Sequence, residues 1–369
     1  MKLFEYMAKD IMRRAGLPVP EGRVCATPQE AAAAAEALGP VAVKAQVLVG
    51  GRGKAGGIRL AATPAEAAEH ARAILALDIH GHRAQQVYCE QRLEIERELY
   101  LAVTVDASVR RPVLLASAEG GIAIEDVPEK AILRRRIDLA WGLLPYRARQ
   151  IGLRLGLPPG LIAPFADLAC RLYGVFRERD AELVELNPLA VSGGRLVAAD
   201  ARINVDDDAL FRQPDLPRTS EATPLEARVR ALGLAFVELD GDIAVMANGA
   251  GITMATIDVL QRFGGRAMNF LDAGGGSGAG PTAEALDLLL STGPRAVLVN
   301  IFGGITRCDE VARAILEVKR RGVLRAPLVV RLVGTNEEAG TALLRAEGIE
   351  AFTSMRQAAE RVVALARGA

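Results

Sequence analysis

The C-terminal half of the chain alternates short apolar runs with stretches in which apolar residues recur at helical spacing. The runs at 243–246, 268–271 and 296–301 predict buried strands, and each is followed by a glycine-rich loop and an amphipathic stretch. Further strands are predicted at 327–332 and 350–352. Strand–helix repeats of this kind predict a flavodoxin-like doubly wound parallel sheet.

Three glycine-rich loops directly follow the first three strands. They comprise residues 248–251, 274–278 and 302–307. Glycine at the carboxyl end of a strand lets backbone N–H groups approach an anion, and ligands of open α/β sheets bind beyond these strand ends. The three loops together predict a site for a phosphorylated or carboxylated ligand. Ordinary tight turns are the alternative interpretation of each loop.

The first half of the chain has a different pattern, with short strands between alanine-rich helices. Helical segments are predicted up to Gly16, at 28–38 with Thr27 as the N-cap, at 64–75, and over most of 145–178. Strands are predicted at 41–45, 58–61, 87–90, 98–105 and 112–116. We expect these five strands to form one antiparallel sheet.

A hairpin and a linker complete the first half. The strands at 182–186 and 195–200 pair across a turn at 192–194, and the first strand is expected to end at Asn187-Pro188. The segment 204–223, with its proline, aspartate and arginine residues, predicts a linker. We therefore expect a first region of two subdomains, residues 1–222, and a second domain, residues 223–369.

Composition narrows the class of protein. The 369 residues carry 45 Lys and Arg against 45 Asp and Glu, which gives no sign of a nucleic-acid or membrane partner. No apolar run reaches the 18 or so residues of a membrane span, and Glu5 lies where a signal peptide needs an apolar core. We therefore expect a cytoplasmic protein.

Cysteine and histidine are sparse. Four widely separated cysteines, Cys25, Cys89, Cys170 and Cys308, predict neither a disulfide framework nor a zinc site. The three histidines, His70, His80 and His82, lie in the first half, and we expect them away from every glycine loop. Chemistry that needs a histidine near the C-terminal loops must therefore obtain it from another chain.

A basic, glycine-dense segment joins the strands at 41–45 and 58–61. We call residues 50–57 the flap, because a hairpin with mobile glycines can close over phosphates. Arg52 and Lys54 lie in it, and Lys44 ends the strand before it, so all three can approach phosphate oxygens. The spacing is not that of a P-loop, and a solvated basic turn is the alternative.

Two further pieces could complete a nucleotide site. Glu90 and Leu93 bound an extended connector that can offer backbone groups to an adenine edge, and Glu98 could reach a ribose hydroxyl. Asn187 and Asp200 lie at the ends of paired strands, and their oxygens suit Mg²⁺ that is completed by phosphates and water. Surface charge is the alternative for each acid taken alone.

Taken together, these segments resemble the β subunit of succinyl-CoA synthetases, members of the ATP-grasp superfamily, essentially from end to end. The motifs that carry the resemblance are residues 4–9, 43–47, 50–57, 98–101, 185–189, 209–216, 248–251, 299–305 and Asp309. The resemblance implies an N-terminal ATP-grasp fold followed by a flavodoxin-like CoA-ligase domain. It also implies a reversible reaction of the tricarboxylic acid cycle, in which succinate, ATP and CoA give succinyl-CoA, ADP and phosphate.

The resemblance implies a role for each matching residue. Lys44, Gly51, Arg52, Gly53, Glu90, Leu93 and Glu98 would bind ATP or ADP, while Asn187 and Asp200 would bind Mg²⁺. Glu185 would steady a phosphohistidine. Asn248, Gly304, Ile305 and Thr306 would line the succinate site, and Gly274, Gly275 and Gly276 would open a helix that faces the phosphohistidine.

A partner chain is part of the same expectation. In the family, an α subunit carries the phosphorylated histidine and most of the CoA site, in an αβ or α₂β₂ assembly. Pro20 resembles the residue of ATP-preferring rather than GTP-preferring members.

The sequence departs from the family pattern at Leu48, Arg202, Thr306 and residues 277–281. Because the Thr306 hydroxyl could accept a hydroxylated diacid, the β subunit of malate–CoA ligase, or of another acid–CoA ligase, is an alternative. A non-catalytic nucleotide-binding paralogue is a second alternative, and intact Lys44, Glu185, Asn187 and Asp200 argue against it. A carboxylate–amine ligase would leave the C-terminal half unexplained.

Overall fold

The computed structural model describes residues 1–220, 222–274 and 279–368. The chain divides into two compact units, Met1–Glu221 and Ala222–Ala369, which we call unit 1 and unit 2. Among the described residues, no helix combines the length and the apolar character needed to cross a bilayer.

The N-terminal part of unit 1 holds a small antiparallel sheet. Its strands are β1 (Gly22–Cys25), β2 (Val41–Ala45), β3 (Ile58–Ala61) and β6 (Val87–Gln91), in the order β1-β6-β2-β3. Helices α2 (Pro28–Leu38) and α3 (Pro64–Ala76) pack on the sheet through small alanine side chains. Thr27 caps α2 as predicted, since its side chain accepts from the backbone N–H of Glu30. A two-strand hairpin follows α3, with β4 (Asp78–Ile79) and β5 (His82–Arg83).

The remainder of unit 1 is built on a second antiparallel sheet. Its strands are β7 (Arg97–Asp106), β8 (Arg111–Ser117), β9 (Leu133–Arg136), β10 (Ala181–Ser192), β11 (Arg195–Ala198) and β12 (Arg202–Val205). They run in the order β11-β10-β7-β8-β9, with β12 paired to β10. Helices α1 (Glu5–Arg14), α4 (Pro145–Arg154) and α5 (Pro159–Glu178) contribute to the apolar core of this part.

The expectation of a single antiparallel sheet is wrong. β6 and β7 follow one another in the chain but belong to different sheets, each with its own apolar core. The two sheets share strands that are short, largely buried apolar runs, so the apolar pattern alone did not indicate which strands pair.

The strand β10 does not end at Asn187-Pro188 as predicted. It continues to Ser192, and its pairing with β7 shifts by one residue between Leu186 and Leu189. Because side chains alternate along a strand, this bulge exchanges the two faces: Val184 and Leu186 are buried before it, Leu189 and Val191 after it.

The predicted linker is partly structured. Asn204 lies in β12, and its backbone also pairs with Lys2. A 3₁₀ segment, Asp207–Arg212, follows. The strand was missed because it has only four residues, although Ile203 and Val205 alternate with polar residues and are fully buried.

Unit 2 contains one sheet with helices on both faces. Its strands are β13 (Ala235–Glu238), β14 (Ile243–Ala247), β15 (Asn269–Asp272), β16 (Ala296–Gly303), β17 (Leu328–Gly334) and β18 (Ala351–Phe352). Its helices are α6 (Pro224–Ala231), α7 (Ala250–Arg262), α8 (Ala279–Ser291), α9 (Cys308–Arg320), α10 (Glu337–Ala346) and α11 (Met355–Ala366). Apolar side chains of α8, α9 and α10 pack on one face of the sheet, and those of α7 and α11 on the other.

The strand order of unit 2 confirms the flavodoxin-like prediction. The order is β13-β15-β14-β16-β17-β18, and all neighbours are parallel except β13 and β15. Without the antiparallel edge strand β13, which the sequence analysis missed, this is the 2-1-3-4-5 order of flavodoxin-like folds. The order reverses between β14 and β16, so the carboxyl ends of these two strands border the crevice where such folds bind ligands.

Candidate functional site

A cavity of about 560 Å³ lies in unit 1 beside the flap. Besides residues of the flap, its wall includes the segment 121–125 and residues from β10 to β12. Eight of the sequence-predicted residues line it: Gly51, Arg52, Gly53, Lys54, Glu98, Glu185, Asn187 and Asp200. The structure thus brings together most of the residues for which a nucleotide or metal role was predicted.

Lys44, Glu90 and Leu93 lie elsewhere. Lys44 contacts Glu5, which lines the cavity, and Glu90 in turn contacts Lys44. Glu90 belongs to β6, between β1 and β2, so the extended connector begins after Gln91 rather than at Glu90. The carboxylate of Glu90 is buried, and Leu93 is half-buried.

Six charged side chains form a cluster at the base of the flap, which we call the charge cluster: Glu5, Lys9, Lys44, Arg52, Glu90 and Asp200. The Nζ atoms of Lys9 and Lys44 lie 2.9 and 3.0 Å from Oε1 of Glu5, and both donate to the carbonyl oxygen of Ala199. Glu90 pairs with both lysines. Arg52 pairs with Glu5 and, at 3.0 Å, with Asp200. Three cations and three anions therefore balance one another.

Burial and pairing oppose each other within the charge cluster. Burial alone would raise the pKa of Glu5, but Arg52, Lys44 and Lys9 hold that pKa well below its usual value. Burial would lower the pKa of Lys44, yet Glu5 and Glu90 raise it. The result is a lysine and a glutamate that stay ionised at neutral pH.

Asp200 is the member of the charge cluster whose burial is not fully offset by opposite charges. Burial raises the pKa of its carboxyl group, and the attraction of Arg52 offsets this effect only in part. The ionised form of Asp200 is therefore less stabilised than that of Glu5.

The donor set of the cavity fits Mg²⁺ that phosphates and water complete. Oδ1 of Asp200 accepts from Arg52 and from the backbone of Ala201 at 2.8 Å, and no hydrogen bond to Oδ2 is found among the described residues. Two hydrogen bonds of 2.8 Å hold the Asn187 amide. The Gly121 N–H donates to its Oδ1, and its Nδ2 donates to the carbonyl oxygen of Ile122. Oδ1 of Asn187 therefore keeps one lone pair for a metal. Within the described ranges no group of three or more His, Cys, Asp or Glu side chains could hold a metal alone, so substrate oxygens are needed.

Glu185 faces the same cavity from β10. The Tyr100 hydroxyl donates to its Oε2 at 3.1 Å. Burial raises the pKa of Glu185, while the charge of Arg202 and the Tyr100 hydrogen bond lower it. A half-buried carboxylate of this kind can accept a proton or a hydrogen bond from an imidazole brought into the cavity.

Glu5, Lys9 and Tyr100 had no predicted role in the site. On α1, Glu5 and Lys9 are buried on the same face as Ala8 and Met12. Charge on the apolar face of an amphipathic helix was the signal that could have revealed them. The expectation that all histidines lie away from the glycine loops is also wrong. His80 lies beside the flap, with its Nε2 3.4 Å from the position that a Cβ on Gly51 would take.

A second group of predicted residues lies at the switch point of unit 2. The Asn248 side chain donates to the carbonyl oxygen of Phe302 at 2.9 Å and accepts from its N–H at 2.8 Å. This pair of hydrogen bonds joins the ends of β14 and β16. Gly304 and Ile305 are exposed beyond β16, whereas Thr306 is 6% exposed.

The glycine loops after β14 and β15 share a carboxylate. The N–H groups of Gly249 and Gly274 both donate to Oδ1 of Asp272, at 2.5 and 2.7 Å. These two donors are therefore already used within the protein. Gly275 and Gly276, predicted to begin the phosphate-facing helix, lie outside the described residues.

Comparison with known proteins matches both parts of the chain. An ATP-grasp domain family matches residues 2–191, and a CoA-ligase family matches residues 246–365. The chain is 47% identical to the succinate–CoA ligase [ADP-forming] subunit beta of Chloroflexus aurantiacus over the whole of both chains, and 44% identical to that of Methanothermobacter thermautotrophicus. The chain belongs to the succinate–CoA ligase β-subunit family. The prediction of an ATP-grasp fold followed by a flavodoxin-like domain is thereby confirmed.

Among solved structures, an ATP citrate lyase from Methanothrix soehngenii, in complex with citrate and coenzyme A, has the same fold. It superposes with a TM-score of 0.74 at 19% identity, covering 100% of this chain and 99% of that one. The fold is therefore shared by two chains of low sequence identity.

Proposed function

We propose that this chain is the β subunit of an ADP-forming succinate–CoA ligase, which interconverts succinate, ATP and CoA with succinyl-CoA, ADP and phosphate. Residues 1–222 would carry the nucleotide site and residues 223–369 the acid site. The observation that carries the proposal is the cavity of unit 1, which gathers Arg52, Glu185, Asn187 and Asp200 in a chain that is 47% identical to a named relative throughout.

In this proposal, ATP or ADP lies in the cavity beneath the flap. Backbone N–H groups of Gly51 and Gly53 and the guanidinium of Arg52 bind phosphates, with the charge of Lys44 behind them. Glu98 reaches the ribose, and Leu93, on the connector after β6, borders the base. Glu90 acts through its ion pair with Lys44. Asn187 and Asp200 hold Mg²⁺, which when bound neutralises phosphate charge and fixes the phosphate geometry.

Glu185 orients the phosphorylated histidine of the partner. Its carboxylate can accept the second N–H of the imidazole, which favours the cationic ring from which a phosphoryl group leaves. A β subunit implies an α subunit. We propose that this partner supplies the histidine and most of the CoA site, in an αβ or α₂β₂ assembly.

Succinate is proposed to bind at the switch point of unit 2. Gly304 and Ile305 are exposed there and can offer N–H groups to a carboxylate, while Asn248 fixes their strand through Phe302. The burial of Thr306 gives no support to a hydroxylated acid such as malate as the substrate, because its side chain is not presented beside Gly304 and Ile305.

The decisive experiment is an acid–CoA ligase assay of this chain, purified alone and co-expressed with its candidate α subunit. Succinate and L-malate are compared, each with ATP and with GTP. We expect activity with succinate and ATP that requires both chains. Preference for malate, or a stable complex inactive with every acid, would overturn the proposal.

A further inference from the structure

Arg52 connects the flap to two different carboxylates. Its Nη2 pairs with Glu5 and with Oδ1 of Asp200, and its Nη1 donates to the carbonyl oxygen of Ala45 at 2.9 Å. The side chain of Arg52 is only 10% exposed, whereas that of Asp200 is 31% exposed and faces the cavity. One face of the Asp200 carboxylate is thus covered by a guanidinium.

The same carboxylate is the metal ligand of the proposed function, and the two roles conflict. A divalent cation on Asp200 would lie within a few ångströms of the guanidinium, and two cations at that distance in a poorly solvated site repel each other strongly. We propose that Arg52 holds the place of the divalent cation on Asp200 until nucleotide phosphates draw it away, so that metal binds well only together with nucleotide. This inference rests on the proposed function of the cavity.

The flap gives Arg52 the means to move. Its neighbours Gly51 and Gly53 restrict the backbone little, and Gly51 has φ +77°, a conformation that glycine adopts readily. Lys44 does not have this freedom, since it lies in the sheet and is locked between Glu5 and Glu90. Phosphate oxygens would offer Arg52 a bidentate partner and leave Asp200 to the metal.

Lys54 provides a matched control in the same flap. Its side chain is 80% exposed, and it lies 3.7 Å from Asp126, not from Asp200. Removal of its charge lowers the net positive charge of the flap by the same amount as removal of Arg52. It does not release the Asp200 carboxylate.

The test uses Mn²⁺ alone, in place of Mg²⁺, with the complete chain, and the electron paramagnetic resonance signal of free Mn²⁺ as readout. We expect Arg52→Gln to bind Mn²⁺ about tenfold more tightly than the unmodified chain, because a competing cation is lost. Metal-free ADP should bind more weakly to the same variant. Lys54→Gln should change Mn²⁺ affinity little, and Arg52→Lys, which keeps the charge without the planar fork, should lie between.

Tighter Mn²⁺ binding combined with weaker ADP binding indicates competition, since an unfolded variant would bind both ligands more weakly. Unchanged or weaker Mn²⁺ binding by folded Arg52→Gln, or equal effects of Arg52→Gln and Lys54→Gln, would overturn the inference. Asp200→Asn separates it from the proposed function. If that variant binds Mn²⁺ and ADP together as well as the unmodified chain does, Asp200 is not a metal ligand and the proposed site itself fails.

Discussion

The two candidate sites are held together in opposite ways. In unit 1, the walls of the cavity depend on side chains that carry charge and neutralise each other across the charge cluster. In unit 2, the carboxyl ends of the strands depend on main-chain contacts: β16 and β17 meet at Gly303 and Gly334, and the hydrogen bonds that the described structure gives the Asn248 side chain join it to the backbone of Phe302. The first arrangement is therefore sensitive to losing a side chain, and the second to gaining one.

Loss of Lys9 should break the unit 1 arrangement most severely. Lys9→Met leaves Glu5 and Glu90 with too few cations in a buried site, and we expect the free energy of unfolding to fall by about 3–5 kcal/mol. Urea titration measures the change, and hydrogen exchange assigns it to unit 1. The control is Arg171→Met, which breaks an ion pair of the same i,i+4 spacing with Asp167 at an exposed site and should lower the free energy of unfolding far less. Equal losses would contradict the comparison.

Addition of one methyl group should break the arrangement in unit 2. A Cβ on Gly334 would lie 2.0 Å from the carbonyl oxygen of Gly303, at φ +114°. We expect Gly334→Ala to destabilise unit 2 by at least about 2 kcal/mol, measured by thermal unfolding. Gly322→Ala has positive φ but open space, so it should cost only about 1 kcal/mol. The argument fails if the two variants behave alike.

The proposed role of Asp200 as a metal ligand extends the comparison from stability to ligand binding. Asp200→Asn keeps the size of the side chain and removes the charge. We expect it to weaken binding of ADP with Mg²⁺ by at least about tenfold and to affect metal-free ADP much less. Calorimetric titration with and without Mg²⁺ measures both affinities, and an equal loss in both would exclude the ligand assignment.

The smallest expected effect concerns the proton affinity of Glu185. Burial already raises the pKa of its carboxyl group, so protonation begins at a higher pH than for an exposed glutamate. Tyr100→Phe removes a hydrogen bond that lowers this pKa, so the ionised fraction decreases at a given pH. The acid limb of partner phosphorylation should therefore move to higher pH. In Glu185→Gln, the acid limb of the pH profile should vanish together with most of the partner phosphorylation. If Tyr100→Phe leaves the acid limb at the same pH, Glu185 is not the group that causes it.

Sequence reasoning succeeded where one local pattern determines the structure. The parallel strands β14, β15 and β16 were predicted because each is a mostly apolar run with a glycine-rich loop after it. The flap was predicted because a short, glycine-rich segment joins two strands that can pair as a hairpin. In both cases the pattern and the fold agree within one short stretch of chain.

The failures concern relations between distant segments. The separation of β6 and β7 into different sheets depends on which helices cover each sheet. The burial of Lys9 depends on Glu90 and Ala199, and the burial of Glu5 depends on Lys44 and Arg52, all of them on distant segments. A charged residue on a helix has the same appearance in sequence whether its partner is water or a buried ion. Only the three-dimensional structure distinguishes the two.

The bulge in β10 limits how this chain can change length. One extra residue lies between Leu186 and Leu189, so deletion within the bulge would keep Leu189 and Val191 buried but remove Asn187 or Pro188. Deletion of a residue outside the bulge, such as Ala190, would instead turn the side chains that follow toward the opposite face. A substitution in β10 alters one side chain, but a deletion outside the bulge would turn every later side chain of the strand to the other face. Insertions and deletions in descendants of this chain should therefore accumulate in its loops and avoid the segment between Glu185 and Val191.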